Sequence, residues 1–189
     1  MSALRLAVIV GSNREGRFGP TVADWFAEQA AQFEGIDVDV IDVATIPLPT
    51  VIDFGAAPDP HVSALGERLA AADAYVVVTP EYNHSFPAPL KNLIDLYRSE
   101  WQAKPVGFVS YGGMGGGLRA VEQLRLVFAE LHATTVRDSV SFHNAWNHFD
   151  ESGAPLDEGC NAAAKGMLGQ LSWWARALRN ARAVDPYEA

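Results

Sequence analysis

Three short stretches of this chain carry side chains that could do chemistry. The run Pro80-Glu81-Tyr82-Asn83 sets a carboxylate, a phenol and a carboxamide side by side, with His84 and Ser85 following. Such a loop offers acceptors, donors and an aromatic face, which suits a flat, hydrogen-bonding ligand better than a simple turn. A second run, Gly11-Ser12-Asn13-Arg14-Glu15-Gly16-Arg17-Phe18-Gly19, leads into Pro20, a residue favoured at the start of a helix. Free N–H groups and the helix dipole attract anions at such a place. Arg14 and Arg17 could add charge-assisted hydrogen bonds to a phosphate. The plain alternative is a glycine-eased turn with solvated arginines. The run lacks the Gly-Lys-Ser/Thr ending of a Walker loop and the spacing of the dinucleotide G-x-G-x-x-G. In the third run Ser110 and Tyr111 precede Gly112, Gly113, Met114, Gly115, Gly116 and Gly117. Glycine lets backbone approach a ligand closely and adopt positive φ. The alternative there is a mobile loop with no ligand.

Other reactive residue types are not arranged for chemistry. His84, His143 and His148 have no carboxylate or cysteine partners at metal-ligand spacing, so no metal site is expected. A Ser-His-Asp arrangement has no G-x-S-x-G elbow to support it. Cys160 is the one cysteine, which excludes an intrachain disulfide.

These runs need elements to hold them. Each follows a strand. Residues 4–10 are nearly continuous apolar residues, residues 75–79 are valine-rich, and residues 105–111 carry Val106, Phe108 and Val109. A strand without polar alternation suits a parallel sheet covered on both faces. Apolar spacing predicts helices over 21–33, 61–72, 118–131 and 162–182, and one after Pro87 that buries Leu90, Leu93, Ile94, Tyr97 and Trp101. Residues 38–43 alternate with aspartate and read as a strand near a sheet edge; residues 134–142 are β-branched and read as the fifth strand. Residues 44–60 form a long, proline-rich connection, and residues 143–161 show no usable periodicity. Strand and helix alternate five times, which predicts one α/β domain over 1–189, a three-layer sandwich with a five-stranded parallel sheet. Right-handed crossovers favour the order 2-1-3-4-5, with helices on both faces. In that order strands one, three and four are neighbours. The three loops then share one crevice at the carboxyl ends, where open α/β sheets bind ligands.

Composition narrows the partners. A net charge of −9 argues against nucleic acid or an anionic membrane as the main partner. No apolar run approaches the roughly 20 residues that span a bilayer. The start Met1-Ser2-Ala3-Leu4-Arg5 enters the first strand directly, without a signal peptide, so a cytoplasmic protein is expected.

With these residues in view, the chain resembles the NADPH-dependent FMN reductase family of flavodoxin-like proteins over about residues 6–178. The likeness rests on Gly11-Ser12-x-Arg14, on Pro80-Glu81-Tyr82-Asn83 with the following Pro-x-x-Leu-Lys-Asn, and on Ser110-Tyr111-Gly112-Gly113. The middle motif is the specific one. The resemblance implies that the loop from Gly11 to Gly19 holds the FMN phosphate, with Ser12, Arg14 and the loop amides as ligands and Arg17 and Phe18 in the same loop. It implies that Pro80, Glu81, Tyr82 and Asn83 run beside the isoalloxazine ring. Ser110, Tyr111, Gly112 and Gly113 would bind the ring's pyrimidine edge, with Tyr82 and Tyr111 bordering the ring. The family often has serine where Arg17 stands and asparagine where Gly19 stands. Arg17 would then supply charge at the FMN phosphate or face the nicotinamide cofactor's phosphate.

The implied function is an FMN-dependent oxidoreductase that passes hydride from NADPH, or NADH, to a small acceptor: a flavin, a quinone, an azo compound or a metal oxyanion. The flavin does the chemistry, so no side chain is assigned a catalytic role. The family commonly forms dimers or tetramers through the helix after Asn83, which agrees with Leu96 joining that helix's apolar residues. The alternative is a flavodoxin-type electron carrier that docks to protein partners.

Overall fold

The computed structural model describes residues 2–52, 55, 57 and 59–188. The elements run β1 (Leu4–Val10), α1 (Gly19–Ala31), β2 (Ile36–Asp42), α2 (Pro60–Ala71), β3 (Ala74–Pro80), α3 (Ala88–Asp95), β4 (Pro105–Gly112), α4 (Leu118–Glu130), β5 (Thr134–His143) and α5 (Gly159–Val184). All five strands are parallel and lie in the order β2-β1-β3-β4-β5, as the alternation of strands and helices predicts.

Strand chemistry explains the layering. Every residue of β3 is buried, which only two covered faces allow. Side chains alternate between two cores at the strand period of two. Val8, Val10, Val76 and Val78 face α1 and α5, where Val22, Phe26, Leu168 and Leu171 meet them. Ala7, Ile9, Tyr75 and Val77 face α2, α3 and α4, against Leu65, Leu69, Leu93 and Phe128. β2 has a neighbour on one side only, and most of it is half-exposed, as its alternating aspartates predict.

The helix after Pro87 is shorter than the apolar pattern suggests. α3 stops at Asp95, and Tyr97 and Trp101 are buried from the turns beyond it. The Trp101 indole donates to the Ile94 carbonyl at 3.2 Å, satisfying one of the helix's terminal acceptors. Glu100 also accepts from the Arg98 amide at 3.0 Å, a local bond that competes with helix continuation. Leu93 and Ile94 are buried within the chain and Leu96 is partly buried against the same core, so one chain already accounts for their apolar character.

Residues 143–161, unreadable from periodicity, are ordered. A single 3₁₀ turn, η1, covers Ala145–Asn147, and a bridge pairs Phe149 with Pro155. Asp150 organises the return, accepting from the Ser152 and Ala154 amides at 2.8 and 3.0 Å. The expected connection over 44–60 lies partly outside the described residues. Among the described residues, no helix is long and apolar enough to cross a membrane.

Candidate functional site

The loops after β1, β3 and β4 meet at the carboxyl ends of their strands and are joined by direct bonds. Gly11 donates its amide to Val78 at 2.9 Å, and Glu81 donates its amide to Tyr111 at 3.2 Å. The Arg14 guanidinium lies 3.4 Å from the centroid of the Tyr82 ring, a cation–π stack that bridges the first loop and the second.

The first loop is shaped for an anion. Ser12 is fully buried, yet among the described residues its backbone N–H has no partner, and neither do those of Asn13 and Arg14. A buried, orphaned donor such as the Ser12 amide is costly, and with the free, exposed amides of Asn13 and Arg14 beside it near the start of α1 it makes a place that suits a phosphate. The Ser12 hydroxyl, by contrast, turns inward to the Tyr111 hydroxyl at 3.2 Å. Gly19 is needed for that packing: a Cβ there would sit 2.7 Å from both of those hydroxyl oxygens. Phe18 closes the loop from below, edge-on to Phe149 with centroids 5.6 Å apart.

Arg17 is already paired within the chain. Its guanidinium forks onto the Asp42 carboxylate at the end of β2, with Nη1 to Oδ1 at 2.6 Å, and it also donates to the Ser12 carbonyl. That hydrogen bond to Asp42 raises the Arg17 pKa, against desolvation, which lowers it. Arg17 thus holds the Ser12 carbonyl, while the amides of 12–14 have no partner among the described residues. Asp42 was not among the residues the motifs picked out; its place at the end of the strand beside β1 was the available signal.

The second loop is a tight hairpin. Tyr82 and Ser85 exchange backbone bonds at 2.8 and 3.1 Å around Asn83 and His84, whose φ angles are +50° and +73°. Two successive left-handed residues make a type I′ turn, which asparagine tolerates well. Helix α4 clamps this turn. Gln123 donates to the His84 carbonyl at 2.8 Å and accepts from Ser85 at 2.5 Å. Glu81 is likewise engaged: it pairs with Arg119 at 2.6 Å and accepts the Arg119 amide at 3.3 Å. Its carboxylate therefore caps α4, whose own N-cap, Gly117, has no side chain to do so.

The third loop is braced. Ser110 and Ser141 each donate to the Gly116 carbonyl at 2.8 Å, His143 bonds the Met114 carbonyl at 2.8 Å, and Asn144 donates to Gly113 at 2.9 Å. The Gly117 φ is +82°, and a Cβ there would stand 2.6 Å from that of Ser110, so glycine is required on two counts. Tyr111 is buried, and burial drives its pKa well up, with the Ser12 hydrogen bond opposing. Its side chain packs under the first loop, with its hydroxyl on Ser12 and its ring 6.3 Å from that of Phe18. Tyr82 remains half-exposed. The braces from β5 reveal a fourth wall of the crevice, residues 143–149, that the motifs missed.

The donor set fits the FMN that the resemblance implies. Free amides and Arg14 suit its phosphate, and the half-buried backbone of Gly112 and Gly113, where an added Cβ would meet nothing closer than 3.4 Å, leaves room for a flat ring to approach.

Comparison with known proteins agrees. The chain is 38% identical over 120 residues, 60% of each protein, to an NAD(P)H-dependent FMN reductase of Schizosaccharomyces pombe. It is 30% identical over 186 residues, covering 93% of this chain and 94% of the relative, to an NAD(P)H:quinone oxidoreductase of Solanum tuberosum. The structure of FerB, a flavoenzyme NAD(P)H:(acceptor) oxidoreductase from Paracoccus denitrificans, superposes with a TM-score of 0.67 at 24% identity, covering 94% of this chain and 98% of that one. The profile of the NADPH-dependent FMN reductases matches residues 4–147, and the chain belongs to that family.

Proposed function

We propose that the protein is an FMN-dependent oxidoreductase that oxidises NADPH or NADH and reduces a small acceptor, with a quinone as the leading candidate. The observation that carries this reading is the row of amides at Ser12, Asn13 and Arg14 that have no partner among the described residues, with the Arg14 guanidinium stacked on Tyr82. The quinone assignment draws on the potato relative. In net terms NADPH, a proton and a quinone become NADP⁺ and a hydroquinone.

FMN, when bound, supplies the centre that accepts two electrons from a reduced nicotinamide and gives them up to the acceptor. The chain's own residues bind and orient. The amides of 12–14 and the Arg14 charge hold the phosphate. Pro80, Tyr82 and Asn83, on a hairpin that Gln123 keeps fixed, would help to hold the ring, and the Gly112 and Gly113 backbone would offer it hydrogen-bonding groups. Fixed backbone dipoles there stabilise negative charge without reorganising. Glu81, Arg17 and Tyr111 act behind the surface, positioning these groups through Arg119, Asp42 and Ser12.

A self-contact between copies of the chain is part of the reading: Leu118 and Leu126 on α4 are 44% and 75% exposed, a face suited to pairing with a second copy beside the helix after Asn83. Light scattering tests this, and a monomer at micromolar concentration would remove it. A cytoplasmic location, where NADPH is abundant, completes the proposal.

The first experiment is a visible spectrum after loading with FMN and removing the unbound flavin, followed by anaerobic NADPH. A retained flavin band that bleaches within seconds is the expected result. A band that stays oxidised without a partner reductase would move the protein to the electron-carrier class. The absence of any band would overturn the reading.

A further inference from the structure

We propose that Trp146 is the stacking platform for the electron acceptor and makes the enzyme selective for flat, electron-poor rings of the quinone type. The inference rests on the reading of the crevice as an FMN site and names a specificity residue within it. Trp146 is 62% exposed, an expensive state for an indole. The other exposed tryptophans, Trp173 and Trp174, pack on each other along α5, with centroids 5.1 Å apart. Trp146 instead stands on the 3₁₀ turn after β5. That strand's last residue, His143, pairs in register with Gly112, so the turn begins level with the crevice floor. The far edge of the indole lies 3.9 Å from where a Gly113 Cβ would be, which puts the ring at the rim beside the glycines assigned to the flavin.

The turn fixes the backbone that carries the ring. Asn144 takes a left-handed φ of +49°, uncommon for a residue with a side chain, and its amide is tied to Gly113 at 2.9 Å. His148 closes the turn from both sides, through its amide to Ala145 at 3.0 Å and its Nε2 to the His143 carbonyl at 2.9 Å. Ala145 is buried beneath the turn, and Phe149 locks the far end against Phe142 and Trp25, with centroids 4.9 and 6.1 Å away. A strained, fully anchored backbone that displays one large apolar ring at a ligand crevice has a stability cost that binding can repay. Met114, which follows Gly113 and is 88% exposed, adds a second soft apolar surface at the same rim. An electron-rich indole stacks most favourably on an electron-poor ring, which describes a quinone and does not describe a metal oxyanion or dioxygen.

The FMN-loaded full chain tests this with the variants Trp146→Ala and Trp146→Phe. Anaerobic reduction by NADPH is followed by stopped flow, and steady-state rates are taken with 1,4-benzoquinone and, separately, with ferricyanide. Trp146→Ala should raise the KM for benzoquinone about tenfold, with kcat, flavin reduction by NADPH and the ferricyanide rate within about twofold. Trp146→Phe should restore the benzoquinone KM to within about threefold. An unchanged benzoquinone KM would overturn the proposal. So would an equal loss with ferricyanide, a slowing confined to NADPH, or a change in oligomeric state, each of which would assign the ring a different role. Failure of the wild-type chain to bind FMN or to be reduced by NADPH would instead remove the functional reading itself, and shows before any variant is made.

Discussion

At the amino ends of the strands, Lys104 is buried and its ammonium donates to the Leu69 carbonyl at 3.0 Å, the Ala70 carbonyl at 2.8 Å and the Tyr75 hydroxyl at 3.1 Å. Arg179 and Arg182 share Asp73 nearby, at 3.2 and 3.8 Å. At the carboxyl ends, Ser12 is as deeply buried as Lys104, yet among the described residues its amide meets nothing. One sheet thus has an end where buried polar groups are matched and an end where donors are left waiting. Concavity alone would mislead here. A cavity of about 310 Å³ lies at the amino end, between Ala103, Thr134 and Leu178, but two of its larger polar groups are engaged: His132 bonds Tyr187 at 2.8 Å and Arg182 bonds the Ala103 carbonyl. The proposed site is the one with unmatched donors among the described residues, not the better-formed hollow.

The largest expected effect belongs to the matched end. Lys104→Ala removes the donor to the Ala70 carbonyl, leaves the Leu69 carbonyl to Tyr75 and Ala72, and opens a cavity; it should cost about 3 kcal/mol of stability with flavin affinity unchanged. Urea unfolding beside an FMN titration checks both halves; a comparable loss of FMN affinity would erase the division between the ends. The same lysine gives the matched end a pH signature. Burial, aided by Arg182 and opposed by Asp73 and Glu100, lowers its pKa from 10.5 to about 8. Between those values the unfolded chain binds the extra proton, so stability should rise as pH climbs from about 8 towards 10.5. Below that window both states are charged and the burial penalty is constant. Lys104→Met should abolish the rise.

Two glycines with left-handed backbones sharpen the contrast. Gly117 and Gly35 have φ angles of +82° and +78°. A Cβ at Gly117 would press on Ser110 at 2.6 Å and on the Tyr111 amide at 2.9 Å, whereas at Gly35 it would meet open space. Gly117→Ala should therefore cost about 2 kcal/mol or more, with a loss of FMN binding. Gly35→Ala should cost about 1 kcal/mol and leave the flavin alone. Thermal melts of both variants, with and without FMN, would show whether strain at the carboxyl end is tied to the ligand.

Asp42 lies between these cases. It is matched to Arg17, but the match serves the unmatched amides, because Arg17 also holds the Ser12 carbonyl. Asp42→Asn should weaken FMN about tenfold while costing only about 1 kcal/mol of stability. An FMN Kd that stays put would make the pair purely structural.

Legibility in the sequence follows the same division. Strands β1, β3 and β4 were readable because burial on both faces leaves continuous apolar runs, and the loops after them were readable because glycine, serine and Pro-Glu-Tyr-Asn are costly to place without cause. The end of α3 was not, since Tyr97 and Trp101 keep helical spacing while buried from turns. Residues 143–155 were not either, because their order comes from single long-range bonds, such as Asn144 to Gly113, that leave no period. The roles of Glu81, Arg17 and Tyr111 were hidden for a related reason. Composition shows that a charge or ring is present in a loop, but only the fold shows that Arg119, Asp42 and Ser12 have claimed it.

The smallest effect concerns Arg14, the one arginine of the first loop that no carboxylate holds among the described residues. Its guanidinium rests on Tyr82 at 3.4 Å, and such an exposed stack is worth about 0.5–1 kcal/mol. To reach a phosphate it must give up that stack, so part of what the charge gains is returned. The net loss in Arg14→Ala should therefore be only about three- to tenfold in FMN Kd, below what a charge-assisted bond alone would give. Tyr82→Leu removes the competing stack and should make Arg14 more effective towards the phosphate, though the ring loses an aromatic neighbour. Salt separates the contributions. The amides of 12–14 belong to the backbone, whereas the Arg14 side chain is exposed and screened, so the difference between wild type and Arg14→Ala should shrink towards nothing at about 1 M salt. A difference that survives salt would mean that Arg14 shapes the loop rather than charges it, and would move it to the same class as Arg17.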